Sequence, residues 1–452
     1  MNNWYPRITE YLQNHRGEIV ADLMALCRIP SISQSNKDGL PFGKDVDDVL
    51  TAAAALFEKH GFPIEVKHAS GYAISVLEGQ GPGIGLFGHA DVVPVNDDWV
   101  KTTPFAPVEE DGILYARGIS DNKAGVIASL YALCALKAAG VTPKSRISVF
   151  VGGSEETGMK DIRTFVAQEV MPAVSLVPDS GFPVSIGEKG IMRMDCRSIA
   201  PLQDVVKLDG GQAYNVVLDH VDVALKNGQQ FSFEGLTAHA ASPAGSVNAA
   251  LKAAVALCAM DICQQDKKIL GSMQEILSND YGEPLHIAST GAFGQLTCVN
   301  GITRVEPDGH LMFTLDIRYG SEVDSVEIAR ILSQRLEHFG FTANIMMDDP
   351  GFLLDESGEP LKIVLDACRQ IGGVPEAQPF KMSGGTYARY LKNAYALSHS
   401  IPTGKNPTDL PAGHGGAHQS DEYLVVDGLL GGIAVIASII VQLDGWLCGD
   451  QE

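Results

Sequence analysis

Four short stretches of this chain gather imidazole and carboxylate groups. They are Gly88-His89-Ala90-Asp91-Val92-Val93-Pro94, Arg117-Gly118-Ile119-Ser120-Asp121-Asn122-Lys123, Gly152-Gly153-Ser154-Glu155-Glu156 and Pro178-Asp179-Ser180. Imidazole nitrogen and carboxylate oxygen are the donors that divalent metal sites use. His89 and Asp91 stand two residues apart, so in an extended segment they share a face. The carboxylate can then hold the imidazole N–H and fix its tautomer. Asp121 stands at the start of a long helical pattern, where one carboxylate can bridge two ions. Glu155 and Glu156 are adjacent and should point in different directions. One can be a ligand and the other a general base acting on cation-activated water. A lone His-x-Asp or Glu-Glu pair is ordinarily solvated surface. Four such clusters are harder to place there, because crowded carboxylates repel unless cations neutralise them.

Each cluster follows an apolar run. Residues 84–87, 147–151 and 174–177 have the length and composition of buried strands. Helical periodicity covers residues 8–26, 45–60 and 123–139, the last closed by Gly140. Strands alternating with helices predict an α/β domain with a mainly parallel sheet, whose strand carboxyl ends converge on a ligand-binding edge. The texture changes near Glu188. Alternating strands at 219–225, 230–234 and 311–319, with helices at 246–263 and 325–339, predict an inserted α+β domain. A helix at 361–371 marks the return of the first domain. The expected boundaries are 1–187 and 357–452 for the α/β domain and 188–356 for the insert.

Composition narrows the function classes. A chain of 452 residues with 45% hydrophobic and 19% charged residues is globular and long enough for two cores. A formal charge of −22 argues against nucleic acid and against an anionic membrane surface. The apolar run at 429–443 is short for a membrane span and reads as a buried terminal helix. Residues 1–16 lack the apolar core of a signal peptide. Eight scattered cysteines without a CxxC pair fit a reduced, cytoplasmic protein. The Gly-rich stretch 79–85 precedes a strand instead of joining strand to helix, which excludes a dinucleotide loop.

The ordered set GHADVVP at 88–94, RGISDNKAG at 117–125, GGSEETG at 152–158, PDS at 178–180 and HQSDE at 418–422 resembles metallopeptidase family 20. That group contains aminoacylase, carnosinase and glutamate-releasing carboxypeptidases. The phrase SGGTYAR at 383–389 is most similar to the peptidase V-type dipeptidase branch. The resemblance implies a zinc-peptidase catalytic domain with an inserted lid and two divalent ions, Zn foremost with Mn or Co as alternatives. His89 and His418 would each cap one ion and Asp121 would bridge them. Glu156 would stand beside His418 and Asp179 beside His89. Glu155 would be the base, and Asp91 would orient His89. Asn122 replaces a more usual Asp or Met, and Gly153-Ser154 replaces bulkier neighbours. Neither departure is expected to touch a ligand. His414, in a Gly-rich loop, competes with His418 as last ligand, and the HQSDE context favours His418. His60, His68, His220, His286, His310, His338 and His399 have no such context.

The insert carries further candidates. Gly235-Leu236-Thr237-Ala238-His239-Ala240-Ala241 resembles the lid segment whose His meets the substrate carbonyl, so His239 would stabilise the oxyanion. Asn215 matches a lid Asn with a related task. Arg318 alternates with apolar residues on its strand, sharing a face with Thr314 and Asp316 away from the core. There it would pair with a substrate carboxylate, or else simply with Asp316. Gly384, Gly385 and Thr386 are expected to contact substrate. The reading is a dipeptidase acting on small peptides, as monomer or homodimer. Its rivals are an N-acyl-amino-acid amidohydrolase of the same family and a non-catalytic metal-binding homologue.

Overall fold

The computed structural model describes residues 4–35, 39–79 and 81–449. Two compact units divide the chain. One comprises Met1–Ile186, Leu354–Phe380 and Thr386–Glu452, the other Gly187–Leu353 and Lys381–Gly385. The expected insert, 188–356, leaves out the short return at 381–385. That segment joins the second unit because Lys189 N–H donates to the Met382 carbonyl at 3.1 Å and Arg318 Nη1 to the Ser383 carbonyl at 3.2 Å.

The first unit is built on a mixed sheet. Its central strands, Ser145–Gly152, Gly81–His89, Val174–Val177 and Ala394–Leu397, run parallel. They are parallel because helices cross over between them, Lys123–Ala138 and Lys160–Gln168 among them. The flanking strands Tyr72–Leu77 and Val184–Glu188 pair antiparallel. Every residue from Lys123 to Leu136 is buried, so this helix lies inside the unit rather than on its surface. The helix Val426–Cys448 packs on it. That terminal helix is long and apolar enough to cross a membrane, yet 78% of its most apolar window is buried within the fold. The predicted helix over 8–26 is two helices, Tyr5–Asn14 and Arg16–Cys27. At the break, the His15 ring stacks on Tyr11 and its Nδ1 lies 2.8 Å from the Tyr11 carbonyl.

A second, small sheet was not expected. Val108–Glu110, Ile113–Tyr115 and Tyr423–Val425 form three short antiparallel strands. The Asp121 segment therefore follows a strand of this sheet and not one of the large mixed sheet. The pairing of Tyr423–Val425 with Ile113–Tyr115 also draws the HQSDE segment beside it.

The second unit is antiparallel, as its alternating pattern predicts. Gly190–Ser198 lies between Leu311–Tyr319 and Phe341–Asp349. A separate sheet orders Val205–Asp209, His220–Leu225 and Gln230–Glu234. The helix expected over 246–263 is shorter, Ala249–Cys258, capped by the Asn248 side chain accepting from Leu251 N–H. A further helix, Gln264–Ile276, follows it.

Candidate metal centre

Strand Gly81–His89 ends by delivering a fully buried imidazole. His89 Nδ1 lies 3.0 Å from the Asp91 carbonyl oxygen and 3.4 Å from Asp91 Oδ1. The ring is thus oriented first by backbone and second by carboxylate. Either contact keeps the proton on Nδ1 and leaves Nε2 as the donor atom. Nε2 faces Asp121 Oδ1 at 3.1 Å and Asp179 Oδ2 at 3.7 Å. The Asp91 carboxylate has a second task. It accepts from the N–H groups of Glu155 at 3.1 Å and Glu156 at 3.2 Å, fixing the acidic loop relative to His89.

Asp121 lies between two imidazoles. Its Oδ1 faces His89 Nε2, and its Oδ2 stands 3.0 Å from His418 Nε2. His418 Nε2 is also 3.1 Å from Glu156 Oε1. His89, Asp121 and Glu156 offer ligand atoms all within 4.8 Å of one another. The structure therefore brings together His89, Asp121, Glu156, Asp179 and His418. His414 is turned to other partners, its Nδ1 2.6 Å from Asp421 Oδ2.

The charges in this cluster oppose burial. Desolvation pushes the Glu155 carboxyl well above its ordinary value, and Asp179, Glu156 and Asp121 add to that against the pull of His89. Glu156 is raised by burial and by Asp121, against His418. Burial would lower the His89 imidazole, but Asp179, Asp121 and Asp91 hold it above its usual value. His418 is likewise pushed up to about 11, as Asp121 and Glu156 outweigh burial. Burial alone would raise Asp121, yet hydrogen bonds from His418 and His89 hold it well below the carboxylate range. A donor set of two imidazole Nε2 atoms and crowded carboxylate oxygens fits divalent cations.

The loop carrying Asp121 is held by Glu422, a residue the motif includes but whose task sequence does not reveal. Glu422 is fully buried. Its Oε1 accepts from Ser120 N–H at 2.8 Å and Asp121 N–H at 2.9 Å. Its Oε2 accepts from Arg117 Nη1 at 2.9 Å and Gly118 N–H at 3.0 Å. Asn122 corrects the expectation that it touches no ligand. Its Oδ1 accepts from the His89 N–H at 3.3 Å, and its Nδ2 donates to the Pro178 carbonyl at 2.6 Å. It ties His89 to the residue before Asp179. A Cβ on Gly125 would stand 2.5 Å from both Asn122 Oδ1 and Pro178 O, so only glycine fits there.

The Glu155-Glu156 loop has a second buried anchor. Asp161 accepts from Gly153 N–H at 2.7 Å, Ser154 N–H at 3.0 Å and Tyr387 Oη at 2.5 Å. Burial and the nearby Asp91 push its carboxyl up to about 6. A Cβ on Gly152 would lie 1.9 Å from Tyr387 Oη, and one on Gly153 2.4 Å from Val46 Cγ1. The small residues of this loop are therefore demanded by packing.

Within the second unit, Asn215 and His239 are neighbours. Val216 bridges His239, and Ala240 N–H donates to the Asn215 carbonyl at 2.9 Å. His239 is exposed. Its Nδ1 accepts from Ala241 N–H at 3.1 Å, which puts the ring proton on Nε2. Arg318 lies opposite the core residues of its strand and pairs with Asp316, as its alternation allows, but that second face is itself covered. Arg318 is 3% exposed, with Nε 2.5 Å from Asp316 Oδ1 and Nη2 3.3 Å from Oδ2. Alternation identifies a face but not what covers it. Gly384 and Gly385 end the 381–385 return. Thr386 is buried in the first unit, where its hydroxyl caps the short helix Tyr387–Tyr390 by accepting from Ala388 N–H.

A family model described as Peptidase family M20/M25/M40 matches residues 85–442. A Staphylococcus haemolyticus protein, provisionally named a dipeptidase, is 26% identical over 96% of this chain and 98% of its own. Human carnosine dipeptidase 1 superposes with a TM-score of 0.65 at 14% identity, over 98% of this chain and 99% of that one. A di-peptidase from Saccharomyces cerevisiae does so with a TM-score of 0.63 at 13% identity and the same coverage.

Proposed function

The chain belongs to peptidase family M20/M25/M40, and from that premise we propose that it is a two-metal dipeptidase. As a member it is a hydrolase acting on peptide bonds, and its relatives point to small peptide substrates. The observation that carries the finer reading is the Asp121 carboxylate, whose two oxygens face different imidazoles, His89 and His418. A carboxylate so divided suits two ions better than one. Four carboxylates (Asp121, Glu155, Glu156 and Asp179) stand with two imidazoles, a charge that two divalent cations would balance. Zn is the foremost candidate, with Mn and Co suited to the same donors.

His89 and Asp179 would hold one ion, His418 and Glu156 the other, and Asp121 both. Bound there, the ions would acidify a water and polarise the scissile carbonyl. Glu155 is left without a ligand's task in this arrangement. Its raised affinity for protons suits it to take one from the water and pass it to the leaving amine. Asp91 would keep His89 in one tautomer while anchoring the Glu155 backbone. His239, its proton on Nε2, would donate to the oxyanion, with Asn215 beside it. Arg318, Gly384, Gly385 and Thr386 would serve the substrate's far end. The eight cysteines are all unpaired, which supports a reducing, cytoplasmic location.

The test is a panel of dipeptides and N-acyl amino acids, presented to chelator-stripped protein with Zn, Mn or Co added back singly. Turnover of dipeptides that returns with metal supports the reading. Preference for N-acyl amino acids would make the protein a deacylase. Metal binding without turnover of either class would make it a non-catalytic homologue. Full activity in verified metal-free protein would overturn the metal assignment.

A further inference from the structure

Glu155 is placed by its backbone. Its N–H donates to Asp91 at 3.1 Å, but among the described residues no group hydrogen-bonds its carboxylate. Glu156 differs, since its Oε1 lies 3.1 Å from His418 Nε2. Whatever aims the Glu155 carboxylate must therefore act through the loop that carries it.

Two buried carboxylates grip that loop. Asp91 takes the N–H groups of Glu155 and Glu156. Asp161 takes those of the two preceding residues on its Oδ2, Gly153 at 2.7 Å and Ser154 at 3.0 Å. Asp161 is fully buried in the first turn of helix Lys160–Gln168. Its other oxygen, Oδ1, accepts from Ile162 N–H at 2.8 Å.

Tyr387 completes this grip. Its hydroxyl donates to the same Oδ2 at 2.5 Å, the shortest of the three bonds there. Two N–H groups already point their hydrogens at Oδ2, so that oxygen only accepts and the phenol is the donor. Tyr387 is fully buried, its ring edge-on to Phe150 at 5.4 Å and to His89 at 6.3 Å. Phe150 belongs to the strand Ser145–Gly152, which runs directly into the Glu155 loop. The approach is so close that a Cβ on Gly152 would stand 1.9 Å from Tyr387 Oη and 2.4 Å from Asp161 Oδ2. The strand ends in glycine to admit this contact. A phenyl ring would satisfy the packing in this corner, so it is the hydroxyl that needs a reason, and its bond goes to the anchor of the loop.

We propose that Tyr387 is a positioning residue for the general base. Through Asp161 it fixes the Gly153-Ser154 backbone, and so the line along which the Glu155 carboxylate meets the attacking water. The inference rests on the reading of Glu155 as base and deepens it. Tyr387, within the phrase at 383–389, then holds the base instead of touching substrate. Glu156 is less open to the same disturbance, because His418 holds its carboxylate directly.

The test compares Tyr387→Phe, Glu155→Gln and the double variant with wild type, all saturated with metal. For each, kcat, KM and the half-saturating metal concentration are measured on one dipeptide. Tyr387→Phe keeps the ring and loses only the hydroxyl. It should lower kcat by about tenfold to hundredfold, the upper figure being what a displacement of about 1 Å costs. KM and the metal requirement should stay near those of the wild type. Beside Glu155→Gln the same substitution should add almost nothing, because residues that act as a unit are not additive. Losses that multiply in the double variant would overturn the proposal, since Tyr387 would then act on the fold or the ligands and not through Glu155. So would a Tyr387→Phe variant with wild-type kcat, or one restored by excess metal. A Glu155→Gln variant as active as the wild type would instead reject the base reading beneath it, a different and recognisable failure. Should Tyr387→Phe fail to fold, Asp161→Asn weakens the same acceptor and must meet the same two criteria, a kcat loss at unchanged KM and silence beside Glu155→Gln.

Discussion

Glu422→Gln keeps the side chain's shape and removes its charge. The carboxylate accepts two bonds at each oxygen, from Ser120 and Asp121 N–H at Oε1 and from Arg117 and Gly118 at Oε2. An amide can offer oxygen to only one of these pairs. With its oxygen toward Arg117, its NH2 faces two buried N–H groups, each costing about 1–3 kcal/mol when left unmet. Reversed, it strands the Arg117 guanidinium, about 3–5 kcal/mol for a broken buried ion pair, and leaves the Gly118 N–H unmet for about 1–3 kcal/mol more. The first arrangement is the cheaper, so the cost is about 2–6 kcal/mol. A domain stable by about 5–15 kcal/mol survives most of that range. The penalty falls on the backbone of Asp121, which the chain must hold in place to receive metal. Each 1.4 kcal/mol of restoring work weakens binding about tenfold. Titrating stripped protein with metal, by activity and by calorimetry, should therefore show the half-saturating concentration raised at least about tenfold. Excess metal should recover turnover, while the Tm of the metal-free protein falls. A lowered Tm with unchanged metal dependence would make Glu422 a purely structural anchor. No change in either would refute the hydrogen-bond accounting itself.

Glu155→Gln should retain bound metal, measured by elemental analysis, and lose about 10²–10⁴-fold in turnover, the usual worth of general-base help. Loss of metal in this variant would exchange the roles of Glu155 and Glu156. His239→Ala should lower kcat more than it raises KM, since an oxyanion contact strengthens in the transition state; a pure KM effect would make it a ground-state contact. Arg318→Ala should cost about tenfold to hundredfold more kcat/KM on a free dipeptide than on its amide. Equal losses would leave the guanidinium with the structural task its Asp316 pairing already gives it. Asp22→Asn should lower Tm near neutral pH. Burial raises that carboxyl, but His60, Lys59 and Tyr131 together hold it below its ordinary 3.8. A depressed carboxyl stabilises above its unfolded pKa, and the gain disappears as pH falls through the folded value. The Tm gap between wild type and variant should therefore narrow below about pH 4, where an unfolded Asp takes up its proton. A gap that stays constant into acid would refute the ion-pair account.

The candidate ligands were legible because their local context is legible. His89, Glu155, Glu156 and Asp179 follow apolar runs that end abruptly, and a strand's end fixes where its next residue goes. Asp121 was legible for a different reason, the long helical pattern behind it. Its actual support was not. The strands Ile113–Tyr115 and Tyr423–Val425 are three residues each and pair across some 300 positions. Runs that short carry no periodicity. The same limit hid the break at His15, where nothing in the apolar pattern changes and a side chain competes for a backbone carbonyl. Arg318 shows the complementary failure. Alternation correctly set it opposite the core residues of its strand, but the burial of that second face depends on the rest of the fold.

A deeper reason concerns the acidic residues. With 55 Asp and Glu against 33 Lys and Arg, the excess reads as solvated surface plus a cation site. The structure adds a third class. Asp91, Asp161, Asp266, Asp421 and Glu422 are buried and accept from backbone N–H groups in loops. Backbone donors have no sequence signature, so no spacing rule distinguishes these carboxylates from solvated ones. Their distribution is nevertheless informative. Asp91 and Asp161 hold the Glu155-Glu156 loop, Glu422 the Asp121 loop, and Asp421 the ring of His414. Asp266 instead gathers the N–H groups of residues 203–205 in the second unit. Loops that must present carboxylates to one another cannot be held by apolar packing alone, since the repulsion would push them apart. Anchoring each by a further buried carboxylate, satisfied by N–H donors, fixes the geometry before any cation arrives. The cost is more negative charge in the interior, which binding divalent cations would relieve.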